Sequence, residues 1–166
     1  MTTESGQMPA AVTRLWDRRA VFLPFALAGL TAVLAGGIVA AVIAAPAPTR
    51  HGTWAAAYLV LVLGLSQLAL GAGQALLAAA APSARYTAVT ATLFNVANLG
   101  VIAGVLSDRA AVLDAGSALL FVALGFFLYG VRRSDGPRWP LFAYRGVLIV
   151  LAVSIPIGLL VTTVAR

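Results

Sequence analysis

Polar residues in this chain fall into short clusters, and between them run five stretches apolar enough to cross a bilayer as helices. The spacing predicts helices over residues 20–45, 54–80, 86–107, 111–131 and 140–164. Prolines and small polar residues punctuate them: Pro46 and Pro48 stop the first, Pro82 and Ser83 part the second from the third, and Pro140 opens the fifth. The first run is too long for a signal-peptide core, which spans about 7–15 residues, so it reads as a spanning helix. Ahead of it, residues 1–11 show no helical period and read as a polar tail, and 13–19 (TRLWDRR) as a basic anchor beside the membrane. The expected architecture is an all-α integral membrane protein, a five-transmembrane-helix bundle, with 1–19 as tail and anchor and 20–166 as a single membrane domain.

Within the second run the apolar pattern is broken by Gln67 and Gln74, which share one helical face with Gly64 and Gly71. Only the short link 81–85 (APSAR) separates this helix from the third, so the two are expected to be antiparallel neighbours. A midpoint near residue 83 then sets Gln67 level with Asn98 and Gln74 level with Thr92, with Asn95 within a turn. An amide in hydrocarbon is costly unless paired. The predicted result is a Gln/Asn seam between helices two and three, read either as interhelical glue worth about 0.6–2 kcal/mol per bond or as a binding site. Small residues mark further close approaches: Gly29 and Gly36 with Ala32, Ala40 and Ala44 on the first helix, and Gly100 and Gly104 with Ala97 on the third, opposite its asparagines.

Composition fixes the solvent: 61% of residues are hydrophobic and 10% charged, at a mean hydropathy of +0.99. The net charge of +6 does not point to nucleic acid, because the arginines sit at the ends of apolar runs, where they meet headgroups. Arg14, Arg18, Arg19, Arg85, Arg132, Arg133, Arg138 and Arg145 fall on one side, against Arg50, Arg109 and Arg166 on the other. The positive-inside rule then predicts a cytoplasmic N-terminus and an outside C-terminus. Arginine-only basicity with abundant Ala, Val, Leu and Gly suggests a high-GC bacterial source, hence a multi-pass protein of the bacterial inner membrane.

Candidate chemistry is sparse. The chain has no cysteine, one histidine (His51, in a predicted loop) and two methionines in the tail, which leaves no conventional metal or haem site and implies no cofactor. Phosphate-loop, GxSxG, HExxH and CxxC motifs are missing. Asp114, one turn into the fourth helix, is an ionisable candidate, read as an interfacial cap or as a proton or cation handler. Arg145, a turn and a half into the fifth, is placed to snorkel. Pro156 is expected to kink that helix. The cadence of residues 55–133 is similar to successive helices of oxidase subunit I-like membrane proteins, but the intrahelical histidines that ligate haem are missing. Three functions follow in order. The first is a non-enzymatic assembly or accessory subunit, or a homo-oligomer, among membrane lipids. The second is a small transporter or channel using the polar seam and Asp114. The third is a membrane-embedded enzyme acting on a lipid or isoprenoid.

Overall fold

The computed structural model describes residues 10–44, 49–134 and 138–164, the last seven of these as backbone only. The tail before residue 10, Pro46, Pro48 and Arg166 lie outside the described residues. All elements among the described residues are helical: α1 (Ala10–Asp17), α2 (Arg19–Ile43), α3 (Arg50–Ala57), a π-helical segment (Tyr58–Leu65), α4 (Ser66–Leu77), α5 (Ala84–Leu106), α6 (Ala110–Gly130) and α7 (Arg138–Val164). The α3, π and α4 elements run on as one rod, so five helices are long and apolar enough to cross a membrane. Their outward positions are apolar too. Leu23, Leu27, Leu30, Leu34, Ile38 and Val42 form an exposed stripe along α2, as expected of a face turned to lipid.

Three local expectations change. Residues 10–17 form a helix that takes in the end of the expected tail and most of the basic anchor, with apolar and polar residues segregated on its two sides. The predicted loop carrying His51 is instead the first turn of α3, because Thr49 caps it, its Oγ1 accepting from the Gly52 N–H at 3.1 Å. In the same way Ser83 starts α5 two residues early by accepting from the Tyr86 N–H at 3.2 Å. Pro156 lies inside α7, as the sequence places it.

The π segment has no sequence counterpart in the apolar pattern. Its amides pair five residues back; that of Ser66, closing the segment, bonds the Leu61 carbonyl. Where pairing returns to four residues, one carbonyl is passed over, and the Ser66 hydroxyl donates to that of Val62. The serine thus satisfies the acceptor that the change of period leaves behind.

Glycine decides which helices touch. A methyl group built on Gly29 would lie 3.0 Å from the Gly64 carbonyl oxygen, and one on Gly71 would collide with Phe25. The predicted small-residue seam of the first helix therefore packs α2 against the π segment and α4, through Gly29, Ala32 and Gly36; Ala40 and Ala44 are exposed. Likewise Gly100 and Gly104 receive α6, where a methyl on Gly116 would lie 2.6 Å from the Val101 nitrogen. The closest pairing is thus α5 with α6, and no comparably close approach joins α4 to α5. That corrects the expectation that a short link makes those two the packed pair. The rod reaches α5 through the π segment, whose Tyr58 bonds Asn98. The last helix, α7, docks on α4 and α6, with the Tyr144 ring filling the space above Gly73.

At one end of the bundle α1 closes α4. Arg18 donates to the carbonyls of Ala75 at 3.1 Å, Ala78 at 2.6 Å and Ala79 at 3.3 Å, and Arg14 to that of Leu76 at 3.2 Å. Helix C-termini leave carbonyls unpaired and carry partial negative charge, so two guanidinium groups suit the place on both counts.

Candidate functional site

The polar side chains of the interior lie in two tiers. On α4, Gln67 sits four residues to one side of Gly71 and Gln74 three to the other, both about 40–60° round the helix from the glycine edge that α2 covers. The single Gly/Gln stripe read from sequence therefore splits into a packing edge and an inward amide edge. Both glutamines are wholly buried.

The first tier holds Asn98 and Tyr58; the register that sets Gln74 level with Thr87 sets Gln67 level with Phe94, a turn from Asn98. Asn98, also wholly buried, donates from Nδ2 to the Phe94 carbonyl at 2.8 Å and accepts at Oδ1 from the Tyr58 hydroxyl at 2.8 Å. The polar contact joining the two predicted neighbours is thus made by the tyrosine of the π segment. The expected partner, Gln67, bonds to nothing: neither its Nε2 nor its Oε1 has a hydrogen-bond partner in the protein.

The second tier holds Gln74, Thr87 and Tyr86. Gln74 faces the end of α6, where a methyl on Gly130 would come within 2.7 Å of Nε2, so glycine there makes room for the amide. Its Nε2 and Oε1 are likewise unpartnered, as is the buried hydroxyl of Thr87. Thr90 and Tyr86 are satisfied by backbone, Thr90 donating to the Tyr86 carbonyl at 2.9 Å and Tyr86 to that of Phe126.

Between the tiers stand three phenyl rings. Phe25 of α2, Phe94 of α5 and Phe127 of α6 are all fully buried, with Phe127 5.4 Å from Phe25 and 5.5 Å, edge-on, from Phe94. Phe25 lies against Gly71, midway between the glutamines, and Phe94 lies between Asn98 and Thr90. The interior therefore alternates polar, aromatic, polar.

The other sequence candidates stand apart. Thr92 is exposed and does not meet Gln74. Asn95 is half-buried and donates to the Ala91 carbonyl of its own helix at 2.8 Å. Asp114 and His51 are exposed on α6 and α3, away from the tiers. Asp114 is five residues into α6 and does not occupy its N-cap, which is Arg109. Arg145 is half-buried on α7, its Nε without a partner. Gly29, Gly36, Gly64, Gly71 and Gly104 are buried and Gly100 half-buried, all in helix contacts. No cluster of three or more metal-ligating side chains occurs among the described residues.

Tyr58, Thr87 and the phenyl triad were not anticipated. Tyr58 reads from sequence as an interfacial aromatic, and the π segment that turns it inward leaves no mark in the apolar pattern. Thr87 was within reach. Once the link is placed between Leu77 and Ala84, its midpoint moves toward the N-terminus, and Gln74 comes level with Thr87 instead of Thr92. Comparison with family models, with curated proteins and with solved structures finds no match.

Proposed function

We propose that this chain is a multi-pass protein of a bacterial inner membrane that takes a small polar solute into its interior and passes it across, a transporter or channel without catalysis. The observation that carries the reading is the burial of Gln67 and Gln74 with all four amide atoms unpartnered in the protein. Each unpaired buried polar group costs about 1–3 kcal/mol. Leucine at either position would be free of that cost. Two such amides on one inward edge leave hydrogen bonds that a guest would take up. Hydrophobic constrictions that close by excluding water serve as gates in membrane pores, and Phe25, Phe94 and Phe127 stand where such a gate belongs.

The assembly and homo-oligomer readings would have to rest on other surfaces than Gly29, Gly36, Gly100 and Gly104, which pack against helices of the same chain. Arginine placement supports an orientation with the second tier toward the cytoplasm. The test is osmotic swelling of proteoliposomes holding the purified protein. Solute uptake above that of empty vesicles, reduced in Gln67→Leu, supports transport. Uptake equal to empty vesicles for every solute tried, together with a stable partner subunit in native mass spectrometry, replaces it with the accessory-subunit reading.

A further inference from the structure

We infer that the solute is a small, neutral, planar molecule carrying both a hydrogen-bond donor and an acceptor on one edge, of the carboxamide or urea class; this rests on the transport reading above.

Charge is the first argument. The fully buried polar side chains are Gln67, Gln74, Thr90 and Asn98, with Ser66, Thr87 and Ser117 nearly so, and none is ionisable at neutral pH. A cation entering this interior would leave water without a countercharge, since no carboxylate lies among these side chains, at a cost far beyond what a few neutral dipoles return. Pores that conduct dehydrated cations surround them with rings of oxygens. Among the described residues the unpartnered buried oxygens are the amide carbonyls of Gln67 and Gln74 and the hydroxyls of Thr87 and Ser134, too few at any one level to form a ring. Of the charged residues near the tiers, Arg14 and Arg18 are turned to the carbonyls at the end of α4, and Arg145, half-buried on α7, is among the described residues the one cation whose Nε stays buried without a partner.

The second argument is the pattern of free groups. At each glutamine Nε2 and Oε1 are free together, so each presents a donor and an acceptor side by side in one plane. The complement is another edge with an N–H beside a C=O. A carboxamide or urea closes a two-bond ring with such an edge, whereas an alcohol offers a single centre. The third argument is the flat aromatic layer of Phe25, Phe94 and Phe127 between the tiers, past which a planar molecule with apolar faces travels at less cost than a rounded, fully hydrated one.

The experiment is stopped-flow light scattering of proteoliposomes challenged in turn with urea, acetamide, glycerol, sodium acetate and methylammonium chloride. Urea and acetamide should enter faster than into empty vesicles, and faster relative to that background than glycerol; acetate and methylammonium should match empty vesicles. Gln74→Leu should lower the amide rate by at least about tenfold, the factor for one hydrogen bond to a buried group not replaced. Gly130→Ala, which crowds the Gln74 amide without removing it, should lower the rate too, so the conclusion does not hang on one variant's folding. Gly37→Ala, where no atom lies within 4 Å of the added methyl, should not. Faster entry of acetate, methylammonium or glycerol than of the amides overturns the solute class and leaves transport standing. Uptake of nothing overturns both. Amide uptake undiminished in both Gln74→Leu and Gly130→Ala overturns the assignment to this site.

Discussion

The hydrogen bond from Tyr58 to Asn98 offers a direct measure of what joins the two halves of the bundle. Asn98 is wholly buried, its Nδ2 already engaged with the Phe94 carbonyl, and Tyr58 supplies the donor to its Oδ1 at 2.8 Å. Tyr58→Phe removes that donor and little volume. The stranded acceptor should cost about 1–2 kcal/mol, toward the lower part of the range for buried unsatisfied groups because the unfolded chain in a membrane also finds partners. Asn98→Leu strands the hydroxyl in turn. Combining the two removes both sides of the bond, so the double variant should be less destabilised than the sum, with a coupling of about 0.6–1.7 kcal/mol. The assay is reversible unfolding in mixed micelles of mild detergent and dodecyl sulfate, followed by fluorescence. Trp54, whose ring is 5.0 Å from that of Tyr58, reports locally. Additivity within about 0.3 kcal/mol would refute the bridge between the π segment and α5.

Three further outcomes are expected. Gly116→Ala forces a methyl within 2.6 Å of the Val101 nitrogen and 2.7 Å of the Gly100 carbonyl carbon, so α5 and α6 must separate, at about 1–3 kcal/mol in the same unfolding assay; equal stability would place the close approach elsewhere. Ser66→Ala leaves the Val62 carbonyl without its hydroxyl and should cost about 1 kcal/mol. It should also shrink the Tyr58–Asn98 coupling, since the π segment sets the tyrosine; an unchanged coupling would separate the two. Arg18→Ala removes three bonds to the end of α4, and should speed hydrogen exchange at the amides near residues 75–79 while sparing α5 and α6. Uniform protection would show the cap to be idle.

Much of the fold was legible because one signal dominates it. Long apolar runs between polar clusters locate the five helices long enough to cross a membrane, and Gly100 and Gly104 lie where α6 packs. Chain order misled where proximity in sequence stood in for proximity in space. The link between Leu77 and Ala84 is short, yet matched glycines draw α4 to α2 and α5 to α6, and close approach follows side-chain size rather than link length. Register suffered next. Helix ends depend on which hydroxyl takes the cap, and a shift of two or three residues at Leu77 and Ala84 exchanges Thr92 for Thr87. The inward turn of Tyr58 was beyond a pattern reading altogether, since hydrophobic residues at Leu59 through Leu63 satisfy either helical period. Gln67 and Gln74 were found by the one property that sequence states without ambiguity, an amide where hydrocarbon is expected.

The π segment also bears on how such a chain tolerates change in length. A helix spanning a membrane ordinarily resists insertion or deletion, because one residue turns everything beyond it by about 100°. A stretch that pairs five residues back already carries surplus chain, so Tyr58–Leu65 can lose a residue by reverting to α pairing while α4 keeps its inward amides. The segment therefore marks the place where this rod would take up a one-residue change in length as a change of hydrogen-bond period, with Trp54 on one side of it and the amides of α4 on the other.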